Sequence, residues 1–217
     1  MKTQYFAEFD TDRFIRERYF PDFGYLGTMI EVGGATPEFL SLSKHFNLNG
    51  WRTIVIEPNP KFVALHRELG GEVYEYACSN EDRDDVPFQV VNWLGNDDYR
   101  SLDITAHSFS ALSVKESYLK KHNYASVDNL PHTEIRVQVR RLDTIIRQIN
   151  VEMIDFVSVD VEGWELEVMQ GFSVDQFMPQ VILLENYLHD EHYTEYMRSL
   201  GYQLDARLEY NYIYTPA

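Results

Sequence analysis

Two stretches of the chain combine residue types able to do chemistry at a spacing that brings them to one edge of a sheet. The first is Glu31-Val32-Gly33-Gly34-Ala35-Thr36-Pro37. An apolar run ends in an acid, and a Gly-Gly turn then lets backbone approach a ligand at the first crossing of a wound sheet. One strand later, Ile56-Glu57-Pro58 puts a second carboxylate at a strand end, where it can accept hydrogen bonds from a ribose diol. Alone, Gly33-Gly34 is a tight turn and Glu57 a solvated loop acid; together they point to a nucleoside. The turn is not G-x-G-x-x-G, Pro37 removes one N–H that would cradle a pyrophosphate, and Glu31 would repel phosphate oxygens. A cofactor with a ribose, a positive charge and no phosphate suits these residues, which is the profile of S-adenosylmethionine.

The second stretch is Asp155-Phe156-Val157-Ser158-Val159-Asp160-Val161-Glu162-Gly163, leading into a helix. Asp160 falls at a strand's carboxyl end, the side where open α/β sheets bind ligands. Glu162 is read either as part of the site or as an acid favoured at a helix N-terminus by roughly 0.3–1 kcal/mol. A hydroxyl that is to be alkylated needs a base. His189 in ENYLHDEHY is the best-placed imidazole, though an exposed loop histidine is an equal reading; His107 is weaker. Asp160, Glu162, Glu185 and His189 also make an oxygen-rich set of the kind Mg2+ accepts. Scattered acids in an acidic chain are more often surface charge, so no metal ligand is expected.

Those residues need elements to position them. Asp10 to Phe20 reads as an N-terminal helix capped by Asp10 or Thr11, and Pro21 to Gly27 as a turn. Strands are predicted at Thr28–Val32, Arg52–Glu57 and Val73–Ala77, because each is a short apolar run. Between them a helix capped by Thr36, with Pro37 in its first turn, should run to about Leu48. Another carries Phe62, Leu65, His66 and Leu69. This order predicts a parallel wound sheet. Val86–Trp93 and Ile135–Leu142 look like an antiparallel excursion, with a helix near Ser113–Lys121 between them. The α/β order then resumes: helix 142–149, strand 154–160, helix 165–170, strand 180–185, a helix through Tyr193 to Leu200, and two tail strands joined at Glu209–Asn211. Trp93, Tyr99, Phe109 and Tyr118 in the middle suit stacking on an acceptor, or core. Tyr210, Tyr212 and Tyr214 alternate as in a half-buried strand or a homodimer contact.

Bulk properties bound the answer. The 217 residues suit one domain, with residues 1–27 as its helical N-terminal segment. A net charge of −16 argues against a nucleic-acid binder, since phosphates need cations. Hydrophobic content of 44% with 14% aromatics predicts a packed core. Cys78 is the single cysteine and suits a reducing compartment. No run approaches the roughly 20 apolar residues of a membrane helix, and MKTQYFAEFD lacks a signal-peptide layout. A cytoplasmic enzyme or binding domain without nucleic-acid or membrane partners is expected.

EVGGATPEF and IEPNPKF resemble the first two motifs of the FkbM-type S-adenosylmethionine-dependent methyltransferases. RLDTII with IDFVSVDVEGWELEVMQGF resembles their most recognisable stretch, and VILLEN the strand after it. The resemblance implies a Rossmann-like class I methyltransferase fold, α/β, with a mostly parallel seven-stranded sheet whose last strand is antiparallel. It implies methyl transfer, usually to a hydroxyl of a sugar or other small metabolite. Glu31 and Gly33, Gly34, Ala35 and Thr36 would line the methionine part of the cofactor. Glu57, followed by Pro58, would hold the ribose, and Ala77, Cys78 and Ser79 would border the adenine. Ser110 looks like the family's serine after the excursion, and Asp160 and Glu162 would sit beside the methionine end or the acceptor. Asp160 and His189 are the expected catalytic residues. The chain departs from the family's pattern at Glu31, usually Asp, at Gly34-Ala35, usually Ala-Asn, and at Ser158, often Lys. An NAD(P)-dependent oxidoreductase is disfavoured by the missing third glycine and by Pro37. A non-catalytic homologue that keeps the fold is the other alternative.

Overall fold

The computed structural model describes residues 4–91, 110–121 and 132–217. Trp93, Tyr99, His107 and Phe109, singled out above, lie outside those residues. A single 3-10 turn at Glu8–Asp10 precedes α1 (Thr11–Tyr19). Asp10 stands at the N-cap but has a left-handed backbone, φ 54°, and no side-chain cap bond. Asp12 does the local work instead, accepting from the N–H of Phe6 at 2.6 Å and of Arg13 at 2.9 Å.

The main sheet begins with β1 (Thr28–Val32) and β2 (Arg52–Ile56), separated by α2 (Leu42–Leu48). After α3 (Pro60–Glu68) comes β3 (Glu72–Tyr74). The predicted third strand splits here: β4 (Ala77–Cys78) leaves for a second sheet with β5 (Arg83–Val91) and β6 (His132–Arg140). β5 and β6 pair antiparallel, as the excursion predicted, and a short α4 (Glu116–Lys121) lies between them in sequence. The chain returns through α5 (Leu142–Ile149), β7 (Phe156–Val159), α6 (Glu165–Gln170) and a four-residue α7 (Val174–Phe177) that the periodicity did not predict. It closes with β8 (Val181–Glu185), α8 (Glu191–Ser199), β9 (Tyr202–Leu208) and β10 (Asn211–Pro216).

The seven strands lie in the order β3-β2-β1-β7-β8-β10-β9. β1 pairs in parallel with both β2 and β7, β7 with β8, and β10 runs antiparallel to β8. Side chains alternate across this sheet. Ile30, Val32, Ile54, Ile56, Val157, Val159, Ile182 and Leu184 enter the core shared with α5 and α6. Met29, Phe156, Val181, Leu183 and Ile213 enter the opposite core, with Ile15 of α1 and Phe46 of α2. Two buried faces explain why these strands read as unbroken apolar runs. Strand order reverses between β1 and β7, which fixes the ligand crevice at their carboxyl ends.

One helix start differs from expectation. α2 begins at Leu42, where the Ser41 hydroxyl caps by accepting from the N–H of Lys44 at 3.2 Å. Thr36 instead closes a loop bend, its hydroxyl donating to the Phe39 carbonyl at 2.9 Å. Leu40, with φ 52°, turns the backbone out of any helix begun at Pro37. Among the described residues no helix is long and apolar enough to cross a membrane.

Candidate active site

A cavity of about 510 Å³ opens at the switch point. Its floor is the turn after β1. Gly33 has φ +84°, and a Cβ there would collide with the carbonyl of Asp160; a Cβ on Gly34 would collide with Val55. Only glycine permits this approach of the β1 and β7 ends. The Gly33 N–H donates to the Ile56 carbonyl at 2.9 Å, tying the turn to β2.

Glu57 holds the next corner. Its Oε2 accepts from the N–H of Ala35 at 3.0 Å and its Oε1 from the N–H of Asn59 at 2.7 Å. Each carboxylate oxygen keeps a further lone pair for a ligand. Burial pushes this carboxyl up to about 7, the two backbone donors pull it down, and the charge of Glu31 adds to the rise. His66 braces the same turn through Nε2 and the Ala35 carbonyl, 3.1 Å apart. Burial lowers its pKa, so the neutral ring is favoured and Nε2 carries the proton a carbonyl can accept. Asn59 lines the cavity, and its Nδ2 is buried without a partner.

Glu31 sits on the β1 face that meets α2. Burial raises it to about 7, against hydrogen bonding from the Ser43 hydroxyl and the first backbone groups of α2. It therefore caps α2 while its buried Oε2 is left without a donor.

The other wall follows β7. Asp160 is fixed by its N–H to the Val32 carbonyl at 3.0 Å. Glu162 (φ 58°) and Gly163 (φ +93°) then reverse the chain; a Cβ on Gly163 would stand 2.7 Å from the Tyr118 ring. Glu165 stitches this turn, its Oε1 accepting from the N–H groups of Val161 and Gly163, both at 3.0 Å. Its Oε2 accepts from the Tyr193 hydroxyl of α8 at 2.6 Å. From the end of β8, Glu185 completes a cluster: one oxygen each of Asp160, Glu165 and Glu185 lie within 4.8 Å of one another.

Asp160 is open to the cavity, yet protein encloses it on its other sides. That enclosure, with the charges of Glu165 and Glu31, raises it to about 7. Burial and the Asp160 charge push Glu185 well above the usual carboxylate range. Two touching carboxyls cannot both ionise cheaply, so the pair shares a proton, which rests on Glu185.

Glu31, Gly33, Gly34, Ala35, Thr36, Glu57, Pro58, Ala77, Cys78, Ser110, Asp160 and Glu162 all line this cavity. Ser79 does not; it is buried, with its hydroxyl beside Asn80 and its carbonyl against Gly171. His189 is also elsewhere. Its left-handed backbone, φ 56°, turns the ring to the closing hairpin, with Nδ1 3.2 Å from the Tyr212 hydroxyl and Nε2 3.3 Å from Arg207. Asn59 and Glu165 were not anticipated as site features, whereas Glu185 was grouped with Asp160 from the sequence. The spacing Asp160-x-Glu162-x-x-Glu165 was the available signal for the second.

A doubly wound sheet in this order, with an antiparallel β10 and a glycine turn at its switch point, defines a Rossmann-like class I methyltransferase fold. The family profile described as the methyltransferase FkbM domain matches residues 31–204, and the chain belongs to that family of S-adenosylmethionine-dependent methyltransferases. No curated protein sequence matches the chain. Among solved structures, precorrin-6y C5,15-methyltransferase from Geobacter metallireducens GS-15 is similar at 14% identity and a TM-score of 0.44, covering 100% of this chain and 94% of that one.

Proposed function

We propose that the protein methylates a hydroxyl oxygen on a small uncharged acceptor, of the sugar or polyol type, with Asp160 as the base. The observation that carries this reading is that the Asp160 carboxyl, with a Glu185 oxygen within 4.8 Å, opens into the same cavity as the glycine turn.

The residues suit S-adenosylmethionine. The turn at Gly33-Gly34 leaves space that any Cβ would fill. Glu57 has lone pairs to spare for the ribose hydroxyls, and Asn59 lines the same cavity. Ala77, Cys78 and Phe88 supply an apolar wall for a flat base. When bound, this cofactor supplies a methyl carbon already activated by its sulfonium.

The chain's own part is alignment, exclusion of water and removal of one proton. Asp160, ionised beside the protonated Glu185, accepts the hydroxyl proton as oxygen attacks, so both carboxyls are neutral after transfer until one proton leaves to solvent. Trp164, Tyr187 and Tyr210 line the cavity as rings able to pack on an acceptor and displace water. No Lys, Arg or His lines it among the described residues, while Glu8, Glu31, Glu57, Asp160, Glu162 and Glu185 do. Phosphorylated or carboxylated acceptors would meet only repulsion there, as would a dinucleotide's pyrophosphate.

S-adenosylhomocysteine release over a panel of neutral sugars, polyols and amines tests the proposal. Asp160→Asn should lower turnover on the best hydroxyl acceptor by about 10²-fold or more while cofactor affinity changes little. Product only on amines, or a variant at the wild-type rate, would overturn it.

A further inference from the structure

We propose that Asp160, Glu165 and Glu185 bind one hard divalent cation, of the Mg2+, Mn2+ or Ca2+ class, at the carboxyl ends of β7 and β8. Each residue offers one carboxylate oxygen, and the three oxygens lie within 4.8 Å of one another. Such cations take carboxylate oxygens at about 2.0–2.6 Å, so a triangle of this size closes on one ion with small side-chain adjustments. No imidazole or thiol joins the three oxygens among the described residues, which disfavours softer metals.

An acidic cluster by itself proves little in a chain of net charge −16. Two independent observations point to a ligand here. Glu185 is only 6% exposed, and its Oε2 is buried with no hydrogen-bond donor. A buried carboxylate oxygen without a donor is costly unless a cation or a proton meets it. In addition, no basic side chain lines the adjoining cavity among the described residues, so nothing in its wall offsets the acids.

The geometry around the cluster is also fixed in advance. Glu165 is held by the Val161 and Gly163 N–H groups and by the Tyr193 hydroxyl, which fixes its carboxylate with one oxygen within 4.8 Å of oxygens of Asp160 and Glu185. Asp160 is pinned through its backbone to β1. The cation would occupy the place of the proton that Asp160 and Glu185 otherwise share. An acceptor hydroxyl reaching it from the cavity would be acidified by coordination. This inference does not depend on the hydroxyl-acceptor reading, because the carboxylates are arranged before any acceptor arrives.

Titration of the full chain with Mn2+, followed by electron paramagnetic resonance without cofactor or acceptor, tests it. The expected result is one bound Mn2+ per chain, displaced by Mg2+ and weakened at least about tenfold in Glu185→Gln. The exposed Glu116→Gln should bind as the wild type does. Glu165→Gln risks unfolding the turn it stitches, so Tb3+ emission sensitised through nearby Tyr193 supplies a second readout on the unaltered protein. Absence of stoichiometric Mn2+ binding, or equal binding by Glu185→Gln and wild type, would overturn the site. A chain that releases S-adenosylhomocysteine yet fails this titration would leave the methyl-transfer reading intact.

Discussion

At the scale of single residues, the cavity is governed by carboxyls held where water cannot solvate them and by glycines where no Cβ fits. Glu57 has both oxygens engaged by backbone, so Glu57→Ala removes the group proposed to hold the ribose and also frees the Ala35 and Asn59 N–H groups. Cofactor affinity should fall by about 1.5–3 kcal/mol, read by calorimetric titration, with Glu57→Gln between it and wild type. Unchanged affinity would remove Glu57 from the site. Gly33→Ala meets the Asp160 carbonyl, a backbone atom that cannot swing aside. A loss of about 2–4 kcal/mol in unfolding free energy is expected, together with weakened cofactor binding. Glu57 and Asp160 were legible from sequence because a wound sheet places whatever ends its strands at one edge. Glu165 was passed over although the spacing to Asp160 and Glu162 signalled its local turn; only its bond to Tyr193, distant in sequence on α8, was beyond reach of the pattern. His189 misled for a related reason: one left-handed residue reverses the direction of its ring, and periodicity is blind to that.

At the scale of elements, the strands were readable because each central one is buried on both faces, and a short unbroken apolar run between turn residues is what that burial requires. Boundaries failed where two local rules were both satisfied. Thr36-Pro37 is a sound helix start, yet Ser41 caps the real one, since Leu40 breaks the backbone between them. The third strand split because Ala77 and Cys78 pair with β6 rather than continue along β2. The Leu-Asp pair opening α5 lies outside the cavity, and its acid has a structural role. Asp143 Oδ1 accepts from the Ser173 N–H at 2.7 Å, and its Oδ2 accepts from the Ser173 hydroxyl at 2.8 Å. Its own N–H donates to the Gly171 carbonyl at 3.1 Å. This fastens α5 to the bend between α6 and α7. Asp143→Ala should therefore cost about 2–3 kcal/mol in urea unfolding with an unchanged denaturant slope, while Asp143→Asn costs less. A variant as stable as wild type would show that α6 is held by its apolar face alone.

At the scale of the whole molecule, the chain concentrates acid in its cavity as well as on its surface, and pH separates the two. Glu31 and Glu57 lie at about 7 when folded, against an ordinary 4.5, because burial disfavours their charge. The folded state thus binds more protons than the unfolded chain between those values. The stability these groups contribute is full below about 4.5 and is lost as pH rises through about 7. Asp160 shifts in the same sense. His66 acts oppositely, since its lowered pKa favours the fold above 6.5 and costs stability below it. Glu72, Asp82, Asp190 and Asp205 have lowered values, so their contribution is lost only at lower pH, as it falls through their folded values. Glu31, Glu57 and Asp160, joined by the raised carboxyls of Asp12, Glu165 and Glu185, outweigh one lowered histidine and set the net direction: the melting temperature of the cofactor-free protein should fall between pH 6 and 8, by on the order of 5 °C. General repulsion from a charge of −16 would give a similar slope, but it is a surface effect. At about 1 M salt the screening length shrinks to about 3 Å, which removes surface repulsion and leaves the buried groups largely unscreened. Persistence of the slope in high salt, and its flattening when a cationic ligand occupies the cavity, locates the effect at Glu31, Glu57 and Asp160. A slope abolished by salt alone would assign it to the surface, and would mean these acids ionise inside the fold at little cost.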